Sequence, residues 1–200
     1  MTHQIDQALS IYDSKVSVSA AKLQELASEV KLVVFDVDGV LTNGTLTYSH
    51  DGEQVKHFNV KDGVGVKLLQ EFGVAVAVIS AKDSAPLTKR MADLSVKYFF
   101  PGTKDKWPVL ENLLNDLNLT PEQVCYVGDD VIDLKVMKRI ALPITPADGF
   151  WMVKKHAAIT TEAGGGQGVA REVADVVLAS KMNLEEAYIQ AMLPQFELIK

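Results

Sequence analysis

Cysteine is almost missing from this 200-residue chain: Cys125 is alone, so no intrachain disulfide can form. That excludes a small scaffold stapled by cross-links, and a lone thiol within an apolar strand is expected to be buried and inert. No apolar run approaches the roughly 20 residues needed to cross a bilayer. The opening Met1-Thr-His-Gln-Ile-Asp6 lacks the positive start and apolar stretch of a secretory signal, so a cytoplasmic location is expected. Positive charge is also short: the net charge of −6 offers no basic field to nucleic acid or to an anionic membrane surface. The four histidines, His3, His50, His57 and His156, show no metal-ligand spacing. There is no internal repeat and no low-complexity linker.

What is present suits one α/β domain with a sizeable core, 48% hydrophobic and 23% charged. The order is β then α, repeated. Leu32–Phe35, Val74–Ile79 and Val124–Val127 are short, β-branched apolar runs of the kind buried on both faces of a parallel sheet. Shorter strands are expected at Val96–Phe99, Ile140–Thr145 and Ala157–Ile159. Helices are expected near Asp62–Glu71, from Ser84 with Pro86 in the first turn, after Lys106, and at Asp148–Lys155. Thr120-Pro-Glu-Gln123 reads as a capping box just before the third buried strand. Gly44–Tyr48 and Glu53–Phe58 read as a hairpin joined across Asp51-Gly52. Residues 1–30 read as a helical extension, Ala20–Val30 being its clearest helix; residues 31–180 form the main domain and residues 181–200 a tail.

Carboxylates collect where the buried strands should stop. Asp36 and Asp38 follow the first; Asp129, Asp130 and Asp133 follow the third. Ligands of open parallel sheets bind beyond the carboxyl ends of the strands. An acidic cluster there suits a hard cation such as Mg²⁺, or covalent and acid–base chemistry. Taken singly, each has an ordinary explanation: Asp38 as an Asx turn before Gly39, Asp133 as a first-turn helix acid. Ser80 ends the second strand with its hydroxyl at the same edge, where a helix-entry cap is the plain reading. Lys106 sits where a helix begins, a poor place for a cation, with Lys104 as its rival. Gly164-Gly-Gly-Gln-Gly168 precedes a helix and could cradle a phosphate, but it lacks the Lys-Ser/Thr of a P-loop.

Together these blocks resemble the four ordered motifs of the haloacid dehalogenase (HAD) superfamily. Asp-Val-Asp-Gly-Val-Leu-Thr from Asp36 is similar to the first, Ser80 to the second, Lys106 to the third, and Gly-Asp-Asp-Val-Ile-Asp ending at Asp133 to the fourth. The resemblance spans roughly residues 31–178 and implies a doubly wound, mostly parallel Rossmann-like sheet. The short span after Thr42 leaves room for a small β-hairpin flap and no large cap domain. Phe58-Asn-Val-Lys-Asp-Gly and Ala163-Gly-Gly-Gly-Gln-Gly-Val-Ala-Arg-Glu further resemble the 3-deoxy-D-manno-octulosonate 8-phosphate phosphatases, and phosphatases of nine-carbon sugar acids share much of this pattern.

The resemblance implies a phosphomonoesterase of a phosphorylated sugar acid, with Asp36 as nucleophile and Asp38 as acid–base. It implies Mg²⁺ held by Asp36, Asp38 (through its backbone carbonyl) and Asp129, with Asp130 and Asp133 as orienting groups. Ser80 and Lys106 are implied to hold phosphoryl oxygens. Ala81, Lys61, Lys82, Gly165 and Arg171 fall at substrate-binding positions. A homotetramer whose sites are completed by a neighbour is implied as well. The chain departs from the family at Lys61, Lys82 and Gln167, where Arg is common, and at Val64, where an aromatic is common. A two-pronged Arg grip on a carboxylate is not matched by Lys. Two other classes compete: a signalling receiver, whose motif order differs, and a catalytically idle relative, which would not need every carboxylate that is present here. A different sugar phosphate as substrate is the nearer alternative.

Overall fold

The computed structural model describes residues 14–192 together with residues 5, 6, 11 and 12. Its strands are β1 (Lys15–Val16), β2 (Leu32–Phe35), β3 (Thr47–Ser49), β4 (Gly52–Val55), β5 (Ala75–Ile79), β6 (Tyr98–Phe100), β7 (Val124–Val127), β8 (Leu142–Thr145) and β9 (Ile159–Thr160). The helices are α1 (Ala20–Glu29), α2 (Val60–Glu71), α3 (Ala85–Asp93), α4 (Lys106–Leu117), α5 (Leu134–Met137), α6 (Trp151–Lys154), α7 (Val169–Ala179) and α8 (Leu184–Met192).

Among the described residues, seven strands form one sheet in the order β1-β9-β8-β7-β2-β5-β6. All neighbouring pairs are parallel except β1 with β9. Period-2 geometry sends Val33 and Phe35 into one core layer with Leu23, Leu69 and Val173, and Leu32 and Val34 into the other with Leu110 and Met137. The sheet is therefore covered on both faces, and that is why β2 and β7 read as unbroken apolar runs. From β2 the chain builds outward through β5 and β6, then returns to the other side of β2 with β7. The strand order reverses beside β2, which opens a crevice at the carboxyl ends of β2 and β7.

Between β2 and α2 the chain inserts the two-stranded hairpin β3–β4. Ser49 pairs with Gly52, so the turn is centred on His50 and Asp51, one residue earlier than the Asp-Gly signal suggested. Gly52 supplies a positive φ of 97° as the first residue of β4, a conformation costly to other residues.

Several expected bounds shift by one to three residues. α2 begins at Val60 because Asn59 caps it, accepting a 2.9 Å hydrogen bond from the Lys61 amide. The helix expected at Asp148–Lys155 shrinks to Trp151–Lys154, and Asp133 lies in a short 3-10 turn before α5. The N-terminal extension is not wholly helical: Lys15–Val16 is a strand that extends the sheet edge against β9. Most residues before 14, and those after 192, lie outside the described residues.

Candidate active site

Asp36 follows β2 directly, and its amide donates a 3.0 Å hydrogen bond to the Val127 carbonyl of β7. That bond fixes Asp36 against the strand whose end carries Asp129. Gly39 closes the turn with a φ of 84°, and a Cβ there would lie 2.1 Å from Asp129 Oδ2. Glycine is thus required twice, for the backbone angle and for the approach of a carboxylate from β7.

Lys106 is 2% exposed, whereas its rival Lys104 is on the surface. As the first residue of α4 it reaches inward, its Nζ 2.8 Å from Asp36 Oδ1 and 2.7 Å from Asp133 Oδ1. Asp133 is fully saturated. Oδ1 accepts from Lys106 and from the Tyr126 hydroxyl at 2.6 Å, while Oδ2 accepts from the Asp129 and Asp130 amides at 3.1 and 3.3 Å. No lone pair is left for a ligand, so Asp133 works by holding Lys106 and the β7 loop in place. Asp130 is exposed and accepts a 2.6 Å bond from the Val131 amide.

The electrostatics follow. Burial is the largest influence on Asp36 and, with Asp133 beside it, raises its pKa to about 6 against the Lys106 ammonium. Asp129 is pushed to about 7, first by burial and then by Asp36, Asp133 and Asp130. Burial alone would lower the Lys106 pKa, but Asp36 and Asp133 outweigh it and the ammonium is retained. One buried cation among these acids leaves an uncompensated negative site, a natural place for a further cation.

Carboxylate oxygens of Asp36, Asp129 and Asp133 lie within 4.8 Å of one another. An all-oxygen donor set of this kind fits a hard divalent ion, and with Asp133 already occupied, Asp36 and Asp129 are the side chains that would hold it. Asp38 stands apart: its carboxylate pairs with the buried ammonium of Lys56, which also lies 2.8 Å from Glu53 Oε1. Lys56, at the end of the hairpin, and Tyr126, within β7, carry no motif signal and were not legible as site residues.

Ser80 is 1% exposed at the end of β5, and its hydroxyl accepts from the Lys82 amide at 3.2 Å. Ala81 is half-buried between them. Lys82 turns to the hairpin, where its Nζ donates to the Tyr48 hydroxyl at 3.1 Å. Lys61, Gln167 and Arg171 instead line a separate cavity of about 470 Å³ with Tyr12 and Gly168. The expected specificity residues therefore fall into two groups. Gly165 is buried, and a Cβ there would lie 2.2 Å from the Gly39 carbonyl oxygen. With the Gly166 amide donating to the Val40 carbonyl at 2.9 Å, the glycine-rich segment is packed directly on the Asp36 loop.

Acidic groups at the ends of adjacent parallel strands, a buried lysine and a hydroxyl on the neighbouring strand define a HAD-type phosphohydrolase. No family model matches the chain. A structure described as a HAD superfamily (subfamily III A) hydrolase from Legionella pneumophila is 34% identical, with a TM-score of 0.82, covering 88% of this chain and 96% of that one. The 3-deoxy-D-manno-octulosonate 8-phosphate phosphatase KdsC of Haemophilus influenzae is 38% identical over 159 residues, 80% of this chain and 88% of that protein. The 3-deoxy-D-manno-octulosonate 8-phosphate phosphatase of Moraxella catarrhalis, solved with a magnesium ion, a phosphate ion and a KDO molecule, is 28% identical with a TM-score of 0.79, covering 88% and 98%. The chain belongs to the 3-deoxy-D-manno-octulosonate 8-phosphate phosphatase family.

Proposed function

We propose that this protein is a Mg²⁺-dependent phosphomonoesterase acting on 3-deoxy-D-manno-octulosonate 8-phosphate or a close analogue among phosphorylated sugar acids. The observation that carries the reading is the Asp36–Lys106–Asp133 cluster, open toward Asp129 at the crevice beside β2. Family membership and the Moraxella neighbour's bound ligands support it.

Asp36, Asp129 and the Asp38 backbone carbonyl would hold Mg²⁺, which when bound neutralises phosphoryl charge as a carboxylate approaches. Asp36 attacks phosphorus in line, forming an acyl phosphate on its carboxylate as the sugar alkoxide departs. Asp38 donates a proton to that alkoxide, then takes one from the water that cleaves the acyl phosphate and releases inorganic phosphate. Its carboxylate lies outside the Lys106 cluster, paired with Lys56. Lys106 and the Ser80 hydroxyl hold the remaining phosphoryl oxygens. Asp133 and Asp130 keep Lys106 and the β7 loop in register.

Among the described residues no helix is long and apolar enough to cross a membrane. We read the location as cytoplasmic, supported by the lone, buried Cys125 thiol. We also read the assembly as a homotetramer. In support, the hairpin exposes Tyr48 and Val55, 62% and 43%, an apolar surface that a neighbour's hairpin could cover. Light scattering should report four subunits; a fully active monomer would overturn the assembly alone. The functional reading is tested by kcat/KM across phosphorylated sugars and sugar acids with Mg²⁺. Highest values for the eight-carbon sugar acid are expected. A neutral hexose phosphate or a nine-carbon sugar acid at the top would move the substrate elsewhere.

A further inference from the structure

The glycine-rich segment that packs on the Asp36 loop is itself held from behind. Two acids of α7, Glu172 and Asp175, are 0% and 3% exposed. Glu172 accepts from the Glu162 and Ala163 amides at 2.9 and 3.1 Å, immediately before the glycines, and from the Ser14 hydroxyl. Asp175 accepts from the Tyr12 hydroxyl at 2.6 Å and from the Tyr188 hydroxyl of α8. Tyr188 in turn accepts from Arg171 Nε and stacks under its guanidinium, 4.3 Å from the ring centre.

The backbone continues the same attachment. β1 pairs Lys15 with Thr160 and Val16 with Ile159, and the Ser17 amide donates to the Ala158 carbonyl at 2.9 Å. Tyr12 and residues 14–17 therefore grip the strand that leads into the glycines, the two amides before them, and, through Asp175 and Tyr188, the direction of Arg171. A buried carboxylate is costly unless its oxygens are satisfied, so the hydroxyls of Tyr12 and Ser14 are part of what keeps both acids in place.

We propose that Tyr12 and Ser14 are positioning residues: the N-terminal segment clamps the glycine-rich loop and aims Arg171, and so sets the grip on the sugar-acid portion of the substrate. Lys106 and Asp133 of the phosphoryl cluster are braced by a separate set of bonds, from Tyr126 and the Asp129 and Asp130 amides. The substrate half of this inference rests on the proposed function; the loop half does not.

The test uses the full-length protein with Ser14→Ala, Ser14→Thr and Tyr12→Phe, read by amide hydrogen exchange and by kinetics. Ser14→Ala should speed exchange at the amides of residues 162–168 by about ten-fold, the effect of one lost buried hydrogen bond. Its KM for the sugar-acid phosphate should rise several-fold, with kcat for p-nitrophenyl phosphate within about two-fold of wild type. Ser14→Thr, which keeps the hydroxyl, should restore both. Tyr12→Phe should raise the same KM and leave exchange at Glu162 and Ala163 close to wild type, because those amides belong to Glu172. Unchanged exchange at residues 162–168 in folded Ser14→Ala would overturn the clamp, whatever the enzyme acts on. Altered exchange with unchanged sugar-acid KM would overturn its role in substrate binding. If the wild type hydrolyses no sugar-acid phosphate, the functional reading fails, while the exchange result still decides the clamp.

Discussion

Removing the divalent ion should reverse the usual pH dependence of stability around neutrality. Asp129 and Asp36 titrate in the folded protein near 7 and 6, against an ordinary 3.8, so the folded state binds more protons than the unfolded state between these values. Their charge is a destabilising load, fully present above pH 7 and relieved as pH falls toward 4. For Asp129 the ceiling is about 4 kcal/mol, and for Asp36 about 3 kcal/mol, at 1.36 kcal/mol per pH unit. The two share one field and Asp129 is partly solvated, so we expect about 2–4 kcal/mol together. For a domain of this size that is about 5–10 °C in Tm. Asp62, raised to about 6 mainly by burial and opposed by the Ala170 and Gly168 amides, adds in the same direction. The assay is thermal unfolding of chelator-treated protein from about pH 8 to about pH 5.5, with and without Mg²⁺. Metal-free protein should melt higher at the acid end, the gain from Mg²⁺ should grow with pH, and Asp129→Asn should flatten both trends. A Mg²⁺ gain independent of pH, with Asp129→Asn parallel to wild type, would refute the reasoning.

Three variants probe the other parts of the site. Lys106→Met leaves Asp36 and Asp133 buried without their cation and should cost about 3–5 kcal/mol in denaturant unfolding, with turnover reduced at least about 10²-fold. Gly39→Ala places a methyl 2.1 Å from Asp129 Oδ2 and should weaken Mg²⁺ affinity by about ten-fold in calorimetric titration. Restoring Arg at Lys61, Lys82 and Gln167 together should raise kcat/KM for acid-bearing substrates over neutral sugar phosphates by about ten-fold. An unchanged ranking would show that these positions do not set specificity.

The strands that place the site were legible because burial on both faces writes an unbroken apolar run, and the acids stand out where each run ends. Lys106 was legible by its poor fit at a helix start, and the structure explains that position by the acids it reaches. Tyr126 was not: within a buried strand its hydroxyl looks like any core aromatic, and only the fold brings Asp133 to it. Lys56 was hidden for a similar reason, since a lysine in an alternating hairpin reads as solvent-facing until the hairpin folds back on Asp38. The split of Lys82, which meets the hairpin, from Lys61, Gln167 and Arg171, which share a cavity, is set by contacts between distant segments that local pattern does not encode. β1 escaped notice because two residues are too few for periodicity; its pairing is fixed by β9, some 140 residues away.

The central claim is that Asp36 is the nucleophile of a Mg²⁺-dependent phosphatase, and the direct measurement is phosphate release by Asp36→Asn beside wild type. The amide keeps the shape and an oxygen for Lys106 but cannot form the acyl phosphate. Turnover of the sugar-acid phosphate should vanish in a protein that still folds. Retention of near-normal kcat by Asp36→Asn would contradict the account.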